Sequence, residues 1–326
     1  MDILQSLTSR LLTPMVLAFA LGVLATLVRS DLKIPPEIYA ALSIYLLFAI
    51  GLKGGVKLDG VTLGEVWKPI TAALLLSVAI PVWCFWILRR GCRLSAVNAG
   101  AIAAHYGSVS AVTFAAAVAY LEKNATPVEG YVPALLALME VPAIIVAIFL
   151  ARRAARAEGV SNDGFRKVLH ELLTGKGIVL LLGGMAIGLL SGKSGYDQVA
   201  PLFDAPFKGV LTLFLLEIGL VTGRHLSDIK LAGPRLVIFA LVMPPLHGLL
   251  GVLLAKAAGM SVGGGTVLGT LAASASYIAA PAAVRIALPQ ASPALYFTTA
   301  LAITFPFNVV FGIPLYHSMA KALLGS

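Results

Sequence analysis

Apolar residues fill ten long stretches of the chain, and charged, glycine and proline residues bound them. The stretches lie at roughly 12–28, 35–52, 66–88, 96–121, 130–151, 177–191, 205–222, 234–256, 262–288 and 292–319. A membrane-spanning helix needs roughly 20 residues. The pattern therefore predicts an all-α polytopic membrane protein with about ten transmembrane helices.

The composition excludes several classes of protein. Of the 326 residues, 59% are hydrophobic and 12% are charged, and the mean hydropathy is +0.94. Soluble domains carry about 25% charged residues, so a soluble enzyme is excluded. No ATP-binding loop, catalytic triad or metal-ligand spacing occurs, so we expect no enzyme activity, no cofactor and no metal beyond a coupling ion. The net charge is +9, and the basic residues that produce it lie between apolar stretches. This pattern indicates membrane orientation rather than nucleic-acid binding.

The central polar interruption, roughly 152–176, indicates the orientation. It contains six basic residues: Arg152, Arg153, Arg156, Arg166, Lys167 and Lys176. Basic loops stay on the cytoplasmic side, so this loop is predicted to be cytoplasmic. Ten spans then place both termini outside, in the periplasm of a cell with an inner (plasma) membrane. Phe165, Val168, Leu169 and Leu172 share one helical face within the loop, which predicts an interfacial helix or a docking surface for a regulator.

The two halves of the chain repeat the same order of features. In the first half the pattern is Ile50-Gly51-Leu52, Gly55 and Leu58, and in the second it is Ile218-Gly219-Leu220, Gly223 and Leu226. Gly107-Ser108-Val109-Ser110 likewise matches Ala273-Ser274-Ala275-Ser276. We therefore divide the chain into a five-helix repeat at 1–152, a basic linker at 153–176 and a second repeat at 177–326. Because five is odd, the second repeat is inverted, as in many secondary transporters.

Spans four and nine carry matched interruptions at these serine motifs. Gly107 relaxes the first helix, and Pro281 suits the first turn of a new helix after the second motif. A half-helix beginning at each break would present unpaired N–H groups to a small anion. Serine hydroxyls can donate to that anion or coordinate a cation. The alternative is that these small residues only allow close helix packing.

Two carboxylates lie well inside apolar stretches. Glu140 precedes Pro142, whose ring frees backbone carbonyls nearby, and together these oxygens could hold Na⁺. Glu217 is either a second cation or proton site or, as we favour, a side chain that reaches the membrane interface. Thr113 either joins the site or bonds only to its own helix. Asn98 and Thr304 are expected to form hydrogen bonds between helices.

These motifs resemble the sodium-dependent bicarbonate transporter family first known from cyanobacteria, in its broader bacterial branch. The resemblance rests on Ile50–Gly55, Gly107–Thr113, Met139–Ala143 and Ala272–Pro281 and covers nearly the whole chain. It implies a homotrimer in which a core domain moves against a gate domain and takes up bicarbonate with Na⁺. Two departures are Tyr277 and Glu140, where the cyanobacterial proteins have aspartate. Those proteins also bind a small PII-like regulator, and their central loop is longer.

The candidate site combines the motifs and the resemblance. The candidate anion-binding residues are Gly107, Ser108, Val109, Ser110, Ser274, Ala275 and Ser276, and the candidate Na⁺ ligands are Ser110, Thr113, Glu140, Ser276 and Tyr277. His105 and Asn308 are expected to line the pocket. The leading hypothesis is a Na⁺-dependent bicarbonate symporter with an elevator-type movement. The alternatives are a Na⁺- or H⁺-coupled symporter of another small anion, such as a short carboxylate, and a membrane sensor or scaffold that transports nothing.

Overall fold

The computed structural model describes residues 13–157 and 165–325, which form helices joined by short turns and, within these ranges, no β-strand. The helices are α1 Pro14–Leu27, α2 Pro36–Lys57, α3 Leu63–Arg90, α4 Ala96–Gly107, α5 Ala111–Lys123, α6 Val132–Ala157, α7 Phe165–Thr174, α8 Lys176–Phe203, α9 Phe207–His225, α10 Ile229–Ala257, α11 Val262–Ala273, α12 Ala279–Ala287 and α13 Pro293–Leu324. Helix α13 includes two π-helical stretches, Thr298–Thr304 and Asn308–Gly312.

Each predicted apolar stretch is helical over most of its described residues, and the fourth and ninth are interrupted at 108–110 and 274–278. Two helices extend past the predicted bounds, and in each the additional residues lie on the far side of a kink at a glycine. Gly192 in α8 has φ 61° and Gly233 in α10 has φ 72°. This left-handed region favours glycine. The kinks lie next to the end of the sixth apolar stretch, near residue 191, and the start of the eighth, at residue 234.

Seven helical segments in the described ranges are long and apolar enough to cross a membrane, with Ala96–Lys123 counted as one segment across a break. Two shorter apolar helices, α1 and α11, accompany them. Large apolar side chains also face outward, and Leu190 and Leu21 are 86% and 54% exposed. Such surface suits lipid, so the protein is a multi-pass membrane protein.

Serine side chains begin three of the helices around the broken spans. Ser95 Oγ accepts a hydrogen bond from the N–H of Asn98 at the start of α4, and Ser261 Oγ accepts one from Gly264 at the start of α11. Ser110 does the same for Thr113 in α5. An N-cap serine satisfies a helix N–H that has no partner in its own helix. Serines just before two apolar stretches and at the break within the fourth stretch therefore set where these helices start.

Packing divides the described helices into two groups, apart from α7, which contacts α12 and α6 of one group and α8 of the other. The first, called the four-helix group, consists of α1, α2, α8 and α9, in which α2 packs along α8 and α1 along α9. The second, called the larger group, contains α3–α6 and α10–α13, in which α3, α4 and α6 pack together as do α10, α11 and α13. Fewer contacts join the two groups, mainly from α6 to α2 and α8 and from α9 to α5 and α13.

Glycines allow the close approach within the four-helix group. A Cβ at Gly51 would lie 2.6 Å from the carbonyl oxygen of Leu181, and one at Gly188 would lie 2.2 Å from that of Leu52. A Cβ at Gly219 would lie 2.2 Å from the carbonyl oxygen of Phe19. Distances this short are overlaps, so the backbones are in direct contact, as at small-residue interfaces of membrane helices. The repeated Gly51 and Gly219 motifs thus serve the same purpose in α2 and α9.

Helix α7 forms within the predicted linker, of which residues 158–164 lie outside the described ranges. The prediction of a helix here is confirmed. The prediction that Leu172 faces the membrane surface is wrong. This side chain is 6% exposed and lines a cavity with α6, α8 and α12. Buried apolar surface inside the protein replaces the lipid contact that the amphipathic pattern suggested.

Replacing Gly188 with alanine is expected to destabilise the protein. The added methyl group would overlap the backbone of Leu52, and overpacking of this kind costs about 1–3 kcal/mol. The measurement is the midpoint of thermal unfolding of the purified protein in detergent. The matched control is Gly183→Ala on the same helix, where a Cβ meets nothing within 4 Å. Equal midpoints for the two variants would contradict the close packing of α2 and α8.

Candidate functional site

The first broken span changes direction over three residues. Helix α4 ends at Gly107, and the extended residues Ser108 (ψ 175°) and Ser110 (ψ 113°) lead into α5. A Cβ at Gly107 would lie 2.7 Å from the Pro81 ring of α3. Helices α4 and α5 have 12 and 13 residues, so each is about 18–20 Å long at 1.5 Å per residue. The break therefore lies near the middle of a membrane-spanning length.

The second broken span has the same form. Helix α11 ends at Ala273, Ser274 is extended (ψ 164°), and α12 begins at Ala279. The hydroxyl oxygen of Ser276 accepts a hydrogen bond of 3.3 Å from the N–H of Ala280. Pro281 lies in the first turn of α12, where the sequence predicts it. Both broken helices therefore restart at a serine-rich segment.

The two breaks bond to each other. The Ser276 N–H donates to the carbonyl oxygen of His105 (2.8 Å), and the Ser110 N–H donates to Ser274 Oγ (3.0 Å). Ser274 Oγ in turn donates to the carbonyl oxygen of Leu271 (2.8 Å). Each break thus satisfies backbone groups that the other leaves unpaired, as an apolar environment requires.

A small cavity of about 20 Å³ lies where the breaks meet. Its walls combine the breaks, α6 and the four-helix group: Leu47, Val109, Ser110, Ala111, Leu136, Glu140, Gly177, Ser276, Tyr277 and Ile278. Five of the predicted site residues, Val109, Ser110, Glu140, Ser276 and Tyr277, therefore meet around one space. We call this space the central cavity.

The hydroxyl groups on the central cavity are those of Ser110, Ser276 and Tyr277. Ser110 Oγ accepts hydrogen bonds from the N–H of Thr113 (3.1 Å) and from Thr113 Oγ1 (2.9 Å), and Ser276 Oγ accepts one from Ala280. Because both serine oxygens act as acceptors, their protons are available as donors. The Tyr277 hydroxyl is buried beside Ser110 and has no well-aligned hydrogen-bond partner within the described ranges. Donors of this kind suit an anion.

Glu140 supplies the negative charge. Its side chain is 9% exposed, and its carboxylate forms no ion pair within residues 13–157 and 165–325. The Glu140 backbone carbonyl accepts a hydrogen bond from Ser108 Oγ (3.2 Å), which ties α6 to the first break. A buried carboxylate with no counter-charge favours a bound cation or proton.

Other predicted site residues support the breaks and do not line the central cavity. Gly107 packs against Pro81, Ser108 bonds to α6, and Ser274 bonds to the first break. Ala275 is 4% exposed in the second break. Thr113 donates to the hydroxyl oxygen of Ser110, which precedes its own helix and lines the central cavity, while Thr113 does not itself line it.

His105 and Asn308 also lie outside the described walls of the central cavity. The His105 ring stacks on Tyr296 with 4.6 Å between centroids, and its Nδ1 lies 2.7 Å from the carbonyl oxygen of Ala101. Asn308 Nδ2 donates to the carbonyl oxygen of Ala273 at the end of α11 (2.8 Å). Asn308 therefore satisfies a backbone group that the second break leaves free.

Three further polar predictions have clear outcomes. Glu217 has a side chain only 8% exposed and pairs with Arg224 at 3.2 Å, so the expectation that its carboxylate reaches the interface is wrong. The longer Arg224 side chain, 52% exposed, reaches outward instead. Asn98 accepts a hydrogen bond from the Ser292 N–H, and Thr304 donates to the carbonyl oxygen of Ala240. Both of these bonds between elements were predicted.

The apolar walls of the central cavity are not predicted from the sequence. Leu47 comes from α2, Leu136 from α6 and Gly177 from α8. A Cβ at Gly177 would lie 3.2 Å from Glu140 Oε1, so the glycine leaves room for the carboxylate. Leu47 and Leu136 carry no chemical signal in the sequence, because apolar residues surround them in their own stretches.

Two larger cavities lie on either side of the central cavity. The linker-side cavity, of about 210 Å³, shares Glu140, Gly177 and Ile278 with it. The vestibule, of about 480 Å³, lies at the opposite ends of the helices and is lined by Ile50 and Phe114, each one turn from a residue of the central cavity. The central cavity therefore shares part of its wall with the linker-side cavity and lies one helical turn from residues that line the vestibule.

Sequence similarity to known proteins identifies the family of the chain. No curated protein sequence matches the chain. The profile of the Na⁺-dependent bicarbonate transporter superfamily matches residues 14–321, which is nearly the whole chain. The protein therefore belongs to the Na⁺-dependent bicarbonate transporter superfamily.

Proposed function

We propose that the protein is a Na⁺-dependent bicarbonate symporter and that Ser110, Ser276 and Tyr277 bind the anion. The observation that carries this proposal is the central cavity, where three hydroxyl groups and the first turns of α5 and α12 meet one unpaired carboxylate. Hydroxyl donors and helix N-termini favour a small anion. The carboxylate favours a cation in the same space, so the two ions would stabilise each other there.

The size of the central cavity supports an occluded state. About 20 Å³ is room for roughly one water molecule, whereas bicarbonate has four non-hydrogen atoms. Leu47 and Gly177 of the four-helix group form one wall, and the breaks form the other. A movement of the larger group against the four-helix group would widen the cavity and open it toward one end.

We assign the gate to the four-helix group and the core to the larger group, in a ten-helix inverted repeat. The packing supports this assignment. In the two repeats α1 corresponds to α8 and α2 to α9, so the α1–α9 contact in one arrangement corresponds to the α8–α2 contact in the other. The α3, α4 and α6 cluster likewise corresponds to the α10, α11 and α13 cluster. An elevator-type movement would carry both breaks, which are bonded to each other, as one body.

A proton is the second candidate for the coupling ion. Among the described walls of the central cavity, Glu140 is the one ionisable carboxylate, and Tyr277 stands where the cyanobacterial relatives have another. A single carboxylate can carry a proton as well as help to bind Na⁺. Another small anion, such as a short carboxylate, fits the same donors. We further propose that the protein is a homotrimer in the inner membrane. Its termini would be periplasmic and its linker cytoplasmic. Its regulatory partner would be a PII-like protein.

Replacing Ser110 or Ser276 with alanine is expected to weaken anion binding by about 1–3 kcal/mol each, because each change removes a hydroxyl donor from the cavity. The measurement is Na⁺-dependent uptake of ¹⁴C-labelled bicarbonate into proteoliposomes over a range of concentrations. The control is Ser318→Ala, because Ser318 is exposed and bonds only to the Pro314 carbonyl of its own helix. Uptake like that of the unmodified protein in both cavity variants would refute the assigned roles.

Replacing Glu140 with glutamine is expected to abolish stimulation by Na⁺, because the neutral amide keeps the shape of the side chain and loses its charge. Uptake of ²²Na⁺ and labelled bicarbonate is measured together, with competing anions added in turn. Glu37→Gln, at an exposed glutamate in α2, is the control. If uptake by the unmodified protein depends on a pH gradient and not on Na⁺, the coupling ion is a proton rather than Na⁺. Stronger competition by a short carboxylate than by bicarbonate would reassign the substrate.

A further inference from the structure

The charges of the vestibule are divided between its two walls. The larger group supplies two carboxylates, those of Glu122 and Glu129. The four-helix group and the turn between α8 and α9 supply three lysines and one carboxylate, listed as Lys53, Lys57, Lys208 and Asp204. One wall is therefore negative and the other has a positive excess, so the walls attract each other across the boundary between the two groups.

Two of the carboxylates are held within their own wall. Asp204 pairs with Lys53, and Lys53 also lies over the Phe207 ring, 4.8 Å from its centroid. All three belong to the four-helix side. Glu129 Oε1 accepts a hydrogen bond of 2.6 Å from the Ser261 N–H at the start of α11, on the opposite side. These contacts do not cross the vestibule.

One ion pair within the described ranges does cross the vestibule. Lys208 Nζ, in the first turn of α9, lies 3.0 Å from Glu122 Oε2, in the last turn of α5. Their side chains are 56% and 54% exposed, so water competes with the pair. An exposed ion pair is weak enough to break and form again during each transport cycle. Glu122 also lies on the same half-helix as Ser110, so the pair connects the gate to the element that carries the anion site.

We propose that the Lys208–Glu122 ion pair is a reversible closure of the vestibule, which must open when the two helix groups move past each other. This inference rests on the proposed transport function. The pair holds α5 against α9 while the central cavity is closed. When the larger group moves, α5 carries Glu122 away from Lys208, and the vestibule opens toward the central cavity.

Cross-linking tests whether the pair separates. Glu122→Cys and Lys208→Cys are combined in a Cys92→Ser background, because Cys92 is partly exposed and Cys84 is buried. A short reagent with two thiol-reactive groups, which a reducing agent cleaves, joins the two cysteines. Uptake of labelled bicarbonate is expected to fall at least tenfold on cross-linking and to recover on reduction.

The matched control joins two positions on the same wall, with Lys53→Cys and Asp204→Cys in the same background. This cross-link is expected to change uptake less than twofold, since both residues move together. An unchanged rate in the protein cross-linked between residues 122 and 208 would overturn the closure and leave the transport function standing. Absence of uptake by the unmodified protein would instead refute the proposed function, and the closure with it.

Charge exchange gives a second test that needs no cross-link. Glu122→Lys places two like charges across the vestibule and is expected to change the uptake rate at least threefold. Adding Lys208→Glu restores an opposite pair and is expected to return the rate to within twofold of the unmodified protein. If the exchanged pair behaved like the single variant, the contact itself would not matter, and the closure would be wrong.

Discussion

The rest of the structure depends on the need to satisfy backbone polar groups inside an apolar environment. A helix that breaks there leaves N–H and C=O groups without partners, and each unpaired group is costly. The protein meets this requirement by placing two breaks together, so that the Ser276 N–H reaches the His105 carbonyl and the Ser110 N–H reaches Ser274. The proposed transport site and the hydrogen bonds that pair the two breaks thus use the same few residues.

This constraint separates the four serines into two kinds. The Ser108 hydroxyl bonds to α6, and the Ser274 hydroxyl bonds to the opposite break. The Asn308 amide donates to the last carbonyl oxygen of α11. Ser110 and Ser276 accept helix N–H groups, which leaves their hydroxyl protons for the proposed anion. Structural and binding roles are therefore combined, since the hydrogen bonds that cap a helix also orient the hydroxyls that face the cavity.

Packing then determines what can move. Backbones in the four-helix group touch at glycines such as Gly51 and Gly188, where even a methyl group would overlap a carbonyl oxygen. Contact between this group and the larger one is sparser and includes the exposed Lys208–Glu122 pair. A closely packed group, a sparser boundary and a cavity on that boundary are what the proposed movement requires. Each follows from side-chain size and exposure.

The sequence by itself determined the helices and the two breaks, because continuous apolar stretches, N-cap serines and glycine act over a few neighbouring residues. It also predicted Ser110 and Ser276 at one site through the repeated motif and Glu140 through its position inside an apolar stretch, whereas Tyr277 came from the resemblance to the family. Only the tertiary structure decided which hydroxyls face the cavity and that Leu47 and Gly177 close it. Those contacts join residues far apart in the chain, and an apolar side chain gives no local sign of the partner it will meet.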